Sequence, residues 1–250
     1  MRRSIARLIA FDIAAILIVA GLIALAVWQV HRRAYKLDLI ARVEARVHAA
    51  PIPALGPDHW AGISTAADEY RRVIATGNWL EDSSTFVQAV TELGGGYWVM
   101  TPLVRDDGTT VLVNRGFVPA NERDPTSWRP QNPGPVTVTG LLRVSEPGGG
   151  FLRANDPTSN RWYSRDVAAI ASSHGLNNVA PYFIDAERVR GEAGLPVAGL
   201  TVISFSNNHL VYALTWGALA LMAAAAAILV NLDQLRPDWL GRRDADLHMS

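Results

Sequence analysis

The sequence predicts a membrane protein in which two transmembrane α-helices, one towards each end, flank a β-rich α+β extramembrane domain, a small antiparallel sheet or barrel. Three observations carry that prediction. Leu8–Trp28 is an apolar run broken by one charge, Asp12. Leu210–Val230 is a second apolar run with no charge. A hydrocarbon core of ~30 Å is crossed by roughly 20 apolar helical residues, and neither run has the polar face of a soluble helix. Between them lie short alternating segments punctuated by Gly, Pro and Asp-Gly, the pattern of strands and turns.

The first span has a rival reading as a cleavable signal peptide, with Met1-Arg2-Arg3 as its basic start and Ala24-Leu25-Ala26 as a cleavage site. Its apolar run is longer than a signal core of ~7–15 residues, so an uncleaved anchor is expected. The expected division is residues 1–30 as N-terminal anchor, 31–208 as extracytoplasmic domain, 209–231 as second span and 232–250 as cytoplasmic tail. Arg236, Arg242 and Arg243 follow the second span, which favours both termini inside. Bases stand on both sides of the first span, Arg2, Arg3 and Arg7 before it and Arg32, Arg33 and Lys36 after it. Met1 lies too close to the first span for an Arg-rich mitochondrial presequence, so a bacterial plasma (inner) membrane is expected.

Within the central segment, Arg33–Ala50 has no Gly or Pro and extends the first helix as far as Pro51. Tyr70–Leu80 reads as extended, with Gly77 marking a turn or bulge. Tyr97–Thr101 and Thr110–Asn114 flank Asp106-Asp107-Gly108 and form a hairpin. Val136–Val144 alternates as a half-buried strand, and Tyr182-Phe183-Ile184 is a further short strand. Asp166–Ser173 is a short helix with Ser164 as N-cap and Gly175 as its stop. Asp124–Pro135 and Pro147–Gly150 are loops.

Composition excludes several functions. The 250 residues hold 23 Lys+Arg and 23 Asp+Glu, which gives no basic excess for nucleic acid. There is no cysteine, which removes disulfide scaffolds, thiolate zinc, iron–sulfur clusters and covalent haem attachment. Nucleophile-elbow, zinc-protease, phosphate-loop and dinucleotide signatures are absent from the sequence. Gly94-Gly95-Gly96 and Gly148-Gly149-Gly150 read as flexible loops. His48, His59 and His174 have no metal-ligand spacing and read as solvated loop or helix-end residues. No catalytic residues are expected, and the protein reads as a non-enzyme.

One segment stands apart. Ser206-Asn207-Asn208-His209 opens the second span, where Asn207 or Asn208 can cap the helix. Steps of three, four and seven place His209, Tyr212, Ala213 and Trp216 on one face. Such a stripe can hold a flat macrocycle, with the imidazole on iron and the rings beside it. An interfacial belt of His, Tyr and Trp without any ligand is the other reading of the same residues. Trp28 to Lys36 (WQVHRRAYK) reads as interfacial anchoring, and Ala20-x-x-x-Ala24 and Ala213-x-x-x-Gly217 allow close helix approach.

Together these pieces resemble the surfeit locus protein 1 family, called Shy in yeast, over Trp28 to Trp216. The resemblance rests on WQVHRRAYKLDLI, YRRVIATGNW, YWVMTPL with VLVNRGFVP, and NNHLVYALTW, supported by NRWYSRDVAAIA and PYFIDA. It implies a cytochrome c oxidase assembly factor that holds or delivers haem a, bound non-covalently, to oxidase subunit I. It also implies that His209 is the iron ligand, to which the helical stripe adds Tyr212 and Trp216 as cofactor-site residues, and that Gly77 aligns with a glycine sensitive to substitution. The expected partners are that subunit and the lipid bilayer. A cofactor-free membrane scaffold that stabilises an oxidase subunit is the alternative. Arg115 is expected in a structural ion pair, with a haem propionate as its other possible partner. Two positions depart from the family pattern: Tyr35 where Trp is common, and Gly217 where an aromatic residue follows the Thr-Trp pair.

Overall fold

The computed structural model describes residues 2–128, 134–150, 152–189, 191, 194–201 and 207–234. Ser206, Arg236, Arg242, Arg243 and part of the 124–135 loop lie outside the described residues. The chain forms two compact units: Met1–Ile40 with Phe205–Ser250, and Ala41–Ser204.

The first unit consists of two long helices. Helix α1, Arg2–Val47, runs 46 residues without a break, about 69 Å at ~1.5 Å per residue. No Gly or Pro interrupts it between Leu22 and Ala50, so the helix passes the end of the apolar run and stops before Pro51, as expected. The second helix, His209–Gln234, is numbered α5 because three short helices precede it. Both are long and apolar enough to cross a membrane. Among the described residues of this unit only Gln29, Ala213 and Ala220 are buried, so the helices present most of their apolar side chains outward, as lipid-facing helices do.

The second unit is a β-barrel. Its strands are β1 (Ile52–Pro53), β2 (Arg72–Trp79), β3 (Thr85–Thr91), β4 (Gly94–Arg105), β5 (Thr110–Pro119), β6 (Val136–Val144) and β7 (Val179–Ala186). They follow the order β1-β2-β6-β7-β5-β4-β3, and a further β2–β4 pairing closes β2, β6, β7, β5 and β4 into a ring. Closure removes the free edges that an open sheet would present. The pairing is antiparallel except between β5 and β7 and between β1 and β2. The predicted hairpin is β4–β5, and β6 falls on Val136–Val144.

Two cores explain why β5 is buried over nearly its whole length. Val73, Leu103, Val111, Val113, Leu142, Tyr182 and Ile184 come from all five ring strands and fill the inside. Met100, Leu112 and Phe183 point to the opposite face. There Val87 of β3, Trp162 and helix α4 (Val167–Ser173) cover them. Inside the ring, burial pushes the Tyr182 phenol up to about 12, and its hydroxyl donates to Leu55 O at 2.8 Å. Helices α2 (Pro57–Trp60) and α3 (Thr65–Asp68) complete the unit.

Gly77 marks neither a turn nor a point of left-handed backbone. It lies within β2 where the strand changes partner, facing Val136 of β6 and Arg105 of β4. A Cβ there would sit 2.2 Å from Val104 O. Glycine is required at this seam by close approach of two backbones, which is the other reason a strand keeps a glycine.

Two further expectations are corrected. The N-cap of α4 is Asp166, whose side chain accepts from Ala169 N at 3.1 Å. Ser164 Oγ instead accepts from Gly149 N and Asn155 Nδ2. The stop at Gly175 holds: Leu176 N reaches Ala171 O and Gly175 N reaches Ser172 O, the double bond of a Schellman cap. Gly95 and Gly96 are not a flexible loop, since they pair with Val90 and Ala89 at the start of β4. Their partner β3 was not expected, because its buried side Thr85, Val87 and Ala89 is small and carries a weak apolar signal.

Candidate functional site

His209 is the first residue of α5, and its ring meets α1. Nδ1 lies 2.7 Å from Oε1 of Gln29, which is 180 residues away in the chain. Gln29 is 9% exposed and is the only buried residue of α1 before Ala41 among the described residues. Gln29, Asn208, His209 and Tyr212 line a cavity of about 270 Å³. No hydrogen bond engages Nε2 of His209 among the described residues.

Tyr212 is 54% exposed and lies beside His209 in that cavity, Trp216 is half-buried one turn further on, and Ala213 is buried. The stripe His209, Tyr212, Trp216 is therefore one helical face. Only its first two members share the cavity. Neither Asn207 nor Asn208 shows a side-chain cap: Tyr212 N bonds to the backbone oxygen of Asn208 at 3.3 Å. The Asn207 side-chain oxygen is buried with no donor among the described residues, two residues from His209. Trp28 and Tyr35 are more than half exposed, and Arg32 stacks on Tyr35 at 5.3 Å, as headgroup-level anchors do.

Deeper along the same two helices, Asn231 Nδ2 donates to Asp12 Oδ1 at 2.8 Å and to Ala227 O at 2.9 Å. Ala15, Ala20, Ala224 and Ala227 help to line an apolar groove of about 610 Å³ beside that pair. Ala213 and Ala220 are buried, whereas Ala20 and Ala24 are exposed, so the Ala20-x-x-x-Ala24 pair does not form a buried small-residue contact.

The outer unit holds a cavity of about 430 Å³ whose polar floor is Asn114, Arg143, Arg165, Asp185 and Thr201. Asp185 is 3% exposed and accepts from all four of the others. The two guanidiniums reach further carboxylates, Glu69 for Arg143 and Glu146 for Arg165, and both stack on Phe183. Burial opposes the charge of Arg143, but Asp185 and Glu69 outweigh it and hold the guanidinium above its ordinary pKa. Both guanidiniums are thus engaged by carboxylates, and the cluster braces β5, β6, β7 and the approach to α4.

Arg115 is the ion pair expected of it. Its Nη1 contacts both Glu81 oxygens at 2.8 and 2.9 Å, between the rings of Trp79 and Trp128. His48 and His59 are exposed, as expected, and His174 is half-buried. His48 bonds back to Glu44 on α1, and His174 Nε2 pairs with Thr85 Oγ1 at 2.8 Å. Among the described residues no cluster of three or more His, Asp or Glu could hold a metal ion.

Sequence reading missed Gln29. The residue was visible in WQVHRR but was absorbed into the anchoring motif, because nothing local indicates a partner on the other span.

A β-barrel domain flanked in sequence by two apolar helices, with a histidine at the head of the second, defines a class of two-span membrane protein with a β-rich domain. The particular family follows from comparison with known proteins. The SURF1 family profile matches residues 16–221. The chain is 36% identical over 218 residues to Surfeit locus protein 1 of Mus musculus, covering 80% of this chain and 69% of that protein. It is 37% identical over 210 residues to Surfeit locus protein 1 of Homo sapiens, covering 77% and 68%. A SURF1-like protein of Monosiga brevicollis is 34% identical over 221 residues, covering 83% and 82%. The chain belongs to the SURF1 family.

Proposed function

We propose that this protein is a membrane-anchored assembly factor for cytochrome c oxidase that holds haem a through His209 and passes it to subunit I. The observation that carries the reading is the placement of His209. It is half-buried at the head of α5, in a cavity shared with Tyr212, with one ring nitrogen hydrogen-bonded and, among the described residues, no partner on the other. That donor set would fit a haem: a neutral imidazole offers one lone pair to an iron. When bound, haem a supplies the iron that an imidazole nitrogen coordinates. His209 would hold the metal, Tyr212 would present its ring to the macrocycle, and Trp216 would extend that apolar wall along α5. Asp12 and Asn231 satisfy one another and are not part of the site.

Hand-over requires that His209 hold less tightly than the recipient does, because a carrier of equal affinity shifts nothing. One histidine, with no second imidazole in the cavity among the described residues, is suited to that weaker hold. No redox turnover or bond-breaking is asked of the protein, and the reading is non-enzymatic. The basic residues after α5, Arg236, Arg242 and Arg243, favour both termini on the cytoplasmic side of the membrane.

The test is the optical spectrum of detergent-purified protein from cells that make haem a. The wild type shows a haem spectrum and His209→Ala loses it. An oxidase subunit co-purifying with haem-free wild type would favour a scaffold without cofactor.

A further inference from the structure

We infer that Gln29 is the positioning residue for His209: its side-chain oxygen fixes the imidazole in the tautomer protonated at Nδ1, which leaves the Nε2 lone pair open for a metal. The inference rests on the haem reading of His209, yet it concerns a property of the metal-free protein.

The argument begins with burial. A polar side chain at the end of an apolar span is costly unless it is bonded. Gln29 is nevertheless the one buried residue of this part of α1 among the described residues, and its bond is to His209 at 2.7 Å. A carbonyl oxygen only accepts. Nδ1 must therefore carry the proton and donate, and in a neutral ring Nε2 is then the unprotonated nitrogen. The reverse arrangement, with the Gln29 amide donating to Nδ1, would place the proton on Nε2 and close the ligand site. A free histidine side chain favours the proton on Nε2, so the ligating tautomer needs a partner to impose it. Metal-bound histidines are held by an acceptor on the second nitrogen in this way, and removing such acceptors weakens the metal about 10–100-fold. The bond also ties α1 to α5 at the level of the cavity, so the ring is fixed in orientation as well as in tautomer.

The experiment uses the full chain, free of haem, in lipid nanodiscs with ¹⁵N-labelled histidine. His209→Ala assigns the His209 resonances among the 6 histidines. The expected wild-type spectrum shows His209 protonated at Nδ1 and bare at Nε2. Gln29→Leu moves it to the Nε2-protonated form and weakens haem a in titration by about 10–100-fold. Gln29→Glu keeps an acceptor in place and restores both the tautomer and the binding. A wild-type His209 protonated at Nε2 overturns the inference, as does a Gln29→Leu protein with unchanged tautomer and affinity. Loss of folding in Gln29→Leu leaves the wild-type tautomer to decide. A haem spectrum unchanged in His209→Ala would instead remove the ligand reading, a result distinct from either of these.

Discussion

The barrel and the helix pair treat buried polar groups in opposite ways. In the barrel, Asp185 is met by donors from Asn114, Arg143, Arg165 and Thr201. In the helix pair, the Gln29–His209 bond uses one ring nitrogen and, among the described residues, leaves the other without a partner. A saturated cluster stabilises and rigidifies, whereas an unsaturated one beside a cavity can take a ligand. On the proposed reading the cavity with more charge around it has the structural role, and the plainer cavity is the one that would take the ligand. Arginines near a pocket are poor pointers to anion binding when their own carboxylates are already in place.

The largest expected effect breaks the saturated side. Asp185→Ala leaves Arg143 and Arg165 short of a buried partner, which costs about 3–5 kcal/mol. The variant barrel should lose its cooperative thermal transition or melt far below wild type by circular dichroism. A wild-type melting curve would show that the network is not needed for stability, and the contrast would fail.

Next is the seam. Gly77→Ala forces Val104 O, 2.2 Å from the new Cβ, to move, and overpacking of this kind costs about 1–3 kcal/mol. Denaturant unfolding should show a lowered midpoint, and Gly77→Glu should cost more. Full stability in Gly77→Ala would mean that β2 and β4 part more easily than the ring closure implies.

The smallest effect is a pH dependence. Burial lowers the pKa of His174 below its ordinary 6.5. The unfolded chain therefore takes up the proton first, and stability is present above pH 6.5 and declines as pH falls towards the folded value. The wild-type melting temperature should drop more between pH 7.5 and pH 5.5 than that of His174→Gln. Equal drops would locate the acid sensitivity in other groups.

Local patterns were legible in the sequence wherever their cause was local. Asp106-Asp107-Gly108 announces its hairpin, Val136–Val144 reads as a strand and forms β6 although Gly140, Leu141 and Leu142 are buried in succession, and Gly175 stops α4 by its own backbone freedom. What failed depended on distant partners. Gly77 looked like a turn, since the strand that makes a side chain impossible there is β4, far along the chain. Ser164 looked like a cap until Gly149 and Asn155 claimed its hydroxyl. His209 was visible from its stripe with Tyr212 and Trp216. Gln29 was not, because a bond across 180 residues leaves no periodicity to read.

The central claim is that the open nitrogen of His209 is where haem is held. It is tested most directly by the haem-to-protein ratio of purified wild type and His209→Ala, measured optically, with the barrel's melting temperature as internal control. The account predicts that His209→Ala loses its haem and melts like wild type. Equal haem content in the two proteins would contradict it.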